Sequence, residues 1–290
     1  MSNATQPIGA RVPEAFESLQ TAANPRPRRR GRGSWWAWLL FIIALTYFLV
    51  PLIATLEFSL RPNPPTRAYG IVLSDRRFFA GLGYSFIAGL ITIVLSLSLI
   101  IPTAYWVRLR LPRLRPVVEF VTLLPFVLPP IVLAYGLIRF YSRPPLAVTG
   151  TELGSDILLI GAYVVLSLPY MYRAVDNGLA SMDVRVLTEA AQSLGAGWFR
   201  ILWSVIFPNL RVAALSGAFL TLAIVVGEFT IASALARDAF GPYLSLLGRD
   251  KIYEPAAVSL ISFGLTWLAM ILLALVARGS RSRVQIGGAR

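Results

Sequence analysis

The chain reads as an all-α membrane protein of six transmembrane helices, and three observations predict it. Of its 290 residues, 56% are hydrophobic and the mean hydropathy is +0.67, beyond the near-half apolar content of soluble globular chains. The apolar residues gather in six nearly continuous runs, each close to the roughly 20 residues a helix needs to cross a hydrocarbon layer about 30 Å thick. The basic residues fall between those runs, more densely in alternate gaps. Because the runs do not alternate, and because peptide groups in hydrocarbon must be bonded within their own segment, helices are required.

Taken in order, residues 1–33 form a polar tail ending Arg26-Pro27-Arg28-Arg29-Arg30-Gly31-Arg32. Such a composition cannot bury a core, so the tail is expected to be disordered. The apolar run after it is longer than a signal-peptide core and lacks a small-residue cleavage site, so it is expected to stay as an anchor. The membrane domain spans 34–278, with expected spans at 35–58, 82–106, 117–137, 157–172, 212–236 and 256–277, and a short tail at 279–290. The fourth span is the shortest.

Arginine placement sets direction, since positive flanks stay in the cytoplasm. With the N-terminus inside, 18 of the 27 basic residues fall on the cytoplasmic side and 9 outside. Both termini are therefore expected in the cytoplasm. This bias accounts for the +13 charge, and no nucleic-acid partner is expected. Trp35, Trp36 and Trp38 fit an interfacial aromatic belt. There is no cysteine and no histidine, which removes disulfides, a thiolate nucleophile, an imidazole base and the usual zinc ligands. No metal site and no catalytic residue is expected.

The stretch from 173 to 211, on the expected cytoplasmic side, is too long for a plain connector. Asp183 can cap a helix on which Val184, Leu187, Ala191 and Leu194 share one face. Gly195 can end that helix in the left-handed conformation. A second apolar helix follows through Trp198, Ile201, Leu202 and Val205 until Pro208 interrupts it.

Here the residues become specific. Glu189-Ala190-Ala191, three residues, Gly195, nine residues, then Val205-Ile206-Phe207-Pro208 resembles the Glu-Ala-Ala loop of binding-protein-dependent ABC importer permeases. Val205 and Phe207 stand where that family has Ile and Leu, both apolar exchanges. Leu168-Pro169-Tyr170, Asn177-Gly178-Leu179 and Gly227-Glu228-Phe229 are similar to other family elements, so the resemblance covers roughly 79–277. It implies a type I importer permease bundle in the bacterial cytoplasmic membrane, of five core helices and one peripheral helix. It also implies that Glu189, Ala190, Ala191, Gly195 and Pro208 belong to a coupling element gripped by a separate ATPase subunit. The implied partners are two ATPase subunits, a second permease (a related chain or a second copy) and an extracellular solute-binding protein. An amphipathic helix lying on lipid is the plainer alternative for this segment.

Nucleotide chemistry can be argued from the residues alone. A phosphate-binding loop needs Gly-x-x-x-x-Gly-Lys-Ser or Thr, and the single lysine lies in Asp250-Lys251-Ile252. The chain is thus expected to bind no cofactor itself, with ATP and magnesium held by the partner subunit.

Two stretches are candidates for the translocation path. Glu228 is a carboxylate within an apolar run, which is costly and normally faces a cavity or a partner. Packing against a hydroxyl such as that of Thr230 fits equally. Leu124-Pro125-Phe126-Val127-Leu128-Pro129-Pro130 must break or kink its helix, either beside a water-filled path or simply for packing. Phe229, Pro129, Pro130 and Tyr135 join Glu228 in that candidate set.

An ion-coupled carrier using Glu228 is a competing function, and an intramembrane enzyme a weaker third. Within the resemblance, Gly227-Glu228-Phe229-Thr230 and the Leu-Pro-Pro segment are most similar to the polyamine branch, and Glu228 suits a cation. Iron, thiamine, sulfate and phosphonate branches are the alternatives.

Overall fold

A computed structural model describes residues 35–145 and 147–279. The 1–33 tail and residues 280–290 lie outside the described residues. All regular structure among the described residues is helical. The chain divides into two units, 1–54 and 55–290. Most of helix α1 (Trp35–Ser59) falls in the first, and its apolar window has no buried residue. A helix that is apolar on every side suits lipid rather than water.

The second unit carries α2 (Arg67–Ser74), α3 (Arg76–Leu109), α4 (Arg115–Val127), α5 (Pro130–Tyr141) and α6 (Glu152–Ala180). There follow α7 (Val184–Ser193), α8 (Trp198–Gly227), α9 (Thr230–Ala234), α10 (Phe240–Asp250) and α11 (Glu254–Gly279). Helices α1, α3, α6, α8 and α11 are each long and apolar enough to cross a membrane.

At its centre, α3, α6 and α8 pack on one another. Small residues make this possible, as is usual between helices in lipid. A Cβ at Gly178 of α6 would meet the Ala213 Cβ of α8 at 2.6 Å, and one at Gly217 of α8 would meet the Met171 sulfur at 2.7 Å. Between α3 and α6, the buried Ser96 and Ser167 hydroxyls share a hydrogen bond of 2.7 Å. Toward the α7 end the core is built from Tyr105, Met171, Leu179, Ile206 and Leu210. Farther along α3 it divides into a cluster with Phe78, Leu222, Phe240 and Val258 and another with Ala134, Leu159, Tyr163 and Ile231.

Of three elements that the structure sharpens, the first is broken as its prolines require and the other two differ from the sequence reading. The expected third span is two helices: α4, with the tight turn before it, and α5 meet at 98°. Pro129 and Pro130 have no N–H to continue the ladder, and Leu128 before them is extended at ψ 116°. The expected fourth span extends well beyond both limits, to 29 residues. Thr151 starts it by accepting the Gly154 N–H at 3.1 Å. The expected fifth span is cut at Glu228, which is extended, and resumes as the short α9.

Candidate functional site

Two features are built on this frame, a short helix at one end and a cavity where two broken spans meet. The short helix is α7. Asp183 caps it by accepting the Val186 N–H at 3.1 Å. At its other end Gly195 stands at φ +79°. The Ala196 N–H reaches the Ala191 carbonyl at 3.0 Å and the Gly195 N–H reaches that of Gln192 at 2.9 Å. This pair of bonds is the Schellman motif, which favours glycine at the left-handed position.

Val184, Thr188 and Ala191 form the buried face of α7. The Thr188 hydroxyl lies 3.0 Å from that of Tyr105 on α3 and donates to the Val184 carbonyl at 2.6 Å. Leu187 is half-buried. Leu194, which helical spacing places on the same face, is 87% exposed because the helix has already ended at Ser193. The outward side presents Val186, Glu189, Ala190 and Leu194. Glu189 accepts from Arg185 Nε at 2.8 Å, one turn earlier. That hydrogen bond holds the Arg185 pKa above its ordinary value.

Beyond Gly195, Trp198 packs on the Trp106 and Tyr105 rings, with centroids 4.7 and 5.4 Å away. Pro208 does not interrupt the helix that follows. A wide turn over Leu202–Ile206, closed by Phe207 N–H donating to the Leu202 carbonyl, precedes it. Widening one turn accommodates the ring and the missing N–H, and α8 continues to Gly227.

The cavity has a volume of about 510 Å³. Its walls are Pro125 to Pro130 at the break between α4 and α5, Leu166, Pro169 and Tyr170 of α6, and Ile224 with Gly227 to Thr230 at the end of α8. The structure thus brings Pro129, Pro130, Glu228 and Phe229 together. Tyr135 is absent from the lining and is 66% exposed. Two further glutamates near the ends of apolar runs are paired with arginines: Glu57 with Arg61 at 3.0 Å and Glu119 with Arg115 at 2.9 Å.

Glu228 is 8% exposed. Its carboxylate accepts from the Ile231 N–H at 2.8 Å, the Ala232 N–H at 3.1 Å and the Tyr163 hydroxyl at 3.2 Å. It therefore satisfies the first turn of α9 and fastens it to α6, with the hydroxyl coming from Tyr163 rather than Thr230. No salt bridge reaches it among the described residues, and no lysine or arginine lines the cavity.

Two residues that hold this break escaped the sequence reading. Tyr163 is 65 positions from its carboxylate partner. At Gly241, in the first turn of α10, an added Cβ would lie 2.2 Å from the Glu228 carbonyl oxygen and 2.9 Å from the Phe229 Cα. Only the general association of glycine with close backbone approach hints at that position.

Residues 99–282 match the family described as binding-protein-dependent transport system inner membrane component. The chain is 32% identical over 148 residues to the molybdenum transport system permease protein ModB of Azotobacter vinelandii, covering 49% of this chain and 65% of that one. It is 25% identical over 274 residues to the spermidine/putrescine transport system permease protein PotB of Haemophilus influenzae, covering 84% and 91%. The fold is also that of a chain in the crystal structure of a bacterial ABC transporter involved in the import of the acidic polysaccharide alginate. There the TM-score is 0.67 at 12% identity, covering 94% of this chain and 99% of that one. The chain belongs to the binding-protein-dependent transport system inner membrane components, the permease subunits of ABC transporters, whose ATPase activity lies in separate subunits.

Proposed function

We propose that this permease admits a small cationic solute, of the polyamine class, through the cavity between the two broken spans. The cavity carries the proposal: it has one buried carboxylate, Glu228, and no basic side chain in its wall. Such a wall is negative in a low-dielectric setting. Glu228 acts through its field rather than as a direct ligand, since three donors already occupy its oxygens. Phe126, Tyr170 and Phe229 add aromatic faces, which attract ammonium groups. The likeness to the spermidine/putrescine permease over most of both chains supports the same class.

The driving event lies at α7. Two separate ATPase subunits, holding ATP and magnesium, grip the outward side at Glu189, Ala190 and Leu194. Their closure moves α7 and, through Thr188 with Tyr105, tilts the bundle between outward and inward openings. A second permease chain completes the pathway, and an extracellular binding protein delivers the solute. The arginine distribution supports cytoplasmic termini, with α7 on the same side.

The likeness to the molybdenum permease favours a second reading, import of a tetrahedral oxyanion. Reconstitution with the cognate ATPase and binding protein separates the two. ATP-dependent uptake of labelled spermidine, undisturbed by excess molybdate, is the expected result. Uptake of molybdate with no response to spermidine would overturn the cationic reading.

A further inference from the structure

Helix α4 forms one wall of the cavity, yet Thr122 is its one buried residue among those described. Val118 adds partly buried apolar packing on the Tyr105 cluster. Two specific side-chain contacts with α6 accompany it. Near the cavity, the Phe126 ring meets Tyr170 edge-on at 5.2 Å. At the base, Asp176 of α6 takes two arginines. Arg115, the first residue of α4, donates from Nη2 to Asp176 Oδ2 at 3.0 Å. Arg108, in the last turn of α3, donates from Nη1 to Oδ1 at 3.2 Å and to the Asp176 carbonyl at 3.1 Å. The Asp176 side chain is 15% exposed, so water competes little for it.

We propose that Asp176 is a positioning residue that clamps the base of α4 to α3 and α6, so that movement of α7 reaches the cavity wall. The route is continuous. Thr188 of α7 touches Tyr105, one helical turn before Arg108; Arg108 and Arg115 both hold Asp176; and α4 ends at the cavity. Four residues beyond Asp176, α6 ends at Ala180, and Asp183 then caps α7. A carboxylate between two guanidinium groups has directional, charge-assisted bonds, so the base of α4 follows the bundle as a unit instead of sliding along α6. The inference rests on the coupling role proposed for α7.

The test uses the complete transporter in proteoliposomes and measures solute imported per ATP hydrolysed. Asp176→Asn is expected to keep ATP hydrolysis within about two-fold of the parent while the import ratio falls about five-fold or more, the range of ordinary coupling energies. Asp176→Glu should regain most of the ratio, which simple loss of stability would not do. A parental ratio in Asp176→Asn overturns the clamp, as does a fall in hydrolysis and import together with no recovery in Asp176→Glu. Should Asp176→Asn not assemble, Arg115→Gln, at an exposed side chain, must lower the ratio, and a parental ratio there overturns the clamp equally. Glu189→Ala in parallel separates the two readings: import indifferent to Glu189 removes the coupling role and the clamp with it. Import dependent on Glu189 but indifferent to Asp176 removes the clamp alone.

Discussion

The Cα of Gly241 faces the carbonyl of Glu228 so closely that a methyl group there would sit 2.2 Å from the oxygen. The break in the fifth span and the first turn of α10 are thus fitted to each other backbone to backbone. Neither partner has a flexible end that can yield.

Gly241→Ala is accordingly expected to destabilise the protein by about 2 kcal/mol or more, the upper part of the overpacking range. Gly248→Ala on the same helix, where an added Cβ meets nothing within 4 Å, should be near neutral. Thermal unfolding of both variants in detergent checks the contrast, and equal melting temperatures would refute the close fit.

At Glu228, substitution by Gln leaves one acceptor oxygen where two serve Ile231 and Ala232. An N–H of the new amide then opposes a backbone N–H, and a loss of about 1–3 kcal/mol follows. Tyr163→Phe removes one donor and leaves both backbone bonds, so its cost should be smaller, about 0.6–1.7 kcal/mol for a bond between helices in lipid. The ranking is checked by denaturant titration of the purified chain. The reverse order would mean that the tyrosine, not α9, is the principal partner of the carboxylate.

Gly195 has open space around its Cα and φ +79°, so the penalty for a side chain there is conformational rather than steric. Gly195→Ala should cost about 1–2 kcal/mol in the stability of the turn. Asn, which tolerates this region, should cost less. Hydrogen exchange at the Ala196 amide, bonded to Ala191, reports it directly, and unchanged protection in the Ala variant would contradict the motif.

Ala236 is the converse case. It ends α9 at φ +51°, with Arg237 N–H on the Ala232 carbonyl at 2.9 Å and its own N–H on that of Ser233 at 3.1 Å. An L-residue is strained there, and glycine would relieve that at some entropic cost in the unfolded chain. Ala236→Gly should raise stability by about 0.5 kcal/mol, seen as a higher unfolding midpoint.

The legible parts of the sequence were those governed by neighbouring residues. Asp183 as a cap and Gly195 as a left-handed stop follow from side-chain reach and the lack of a Cβ, and both stand as read. The proline cluster announced a break in the third span, though its 98° angle came only with the coordinates. Hydropathy ran the fifth span through Glu228 because a sum over apolar residues does not register one extended residue between helices. What holds that residue open lies far along the chain, in Tyr163 and Gly241. Helical spacing put Leu194 on the inner face of α7 and overlooked Thr188, since a periodic pattern cannot know that the helix stops at Ser193 or that a hydroxyl awaits on Tyr105.

The wide turn in α8 lets one rod answer to two neighbours. Ile201 and Ile206 are five apart and both fully enclosed, although a regular helix at 3.6 residues per turn would point them to different sides. The surplus residue resets the angular phase midway: below it the rod meets the aromatic seat beside α7, above it the narrow seam with Met171 and Ala174. Deleting one position between 202 and 206 would not disturb that phase, whereas tightening the turn into regular helix with all its residues kept would leave one half correctly turned and the other rotated by about 100°. The two ends of the machine would then be out of step, with every side chain still present.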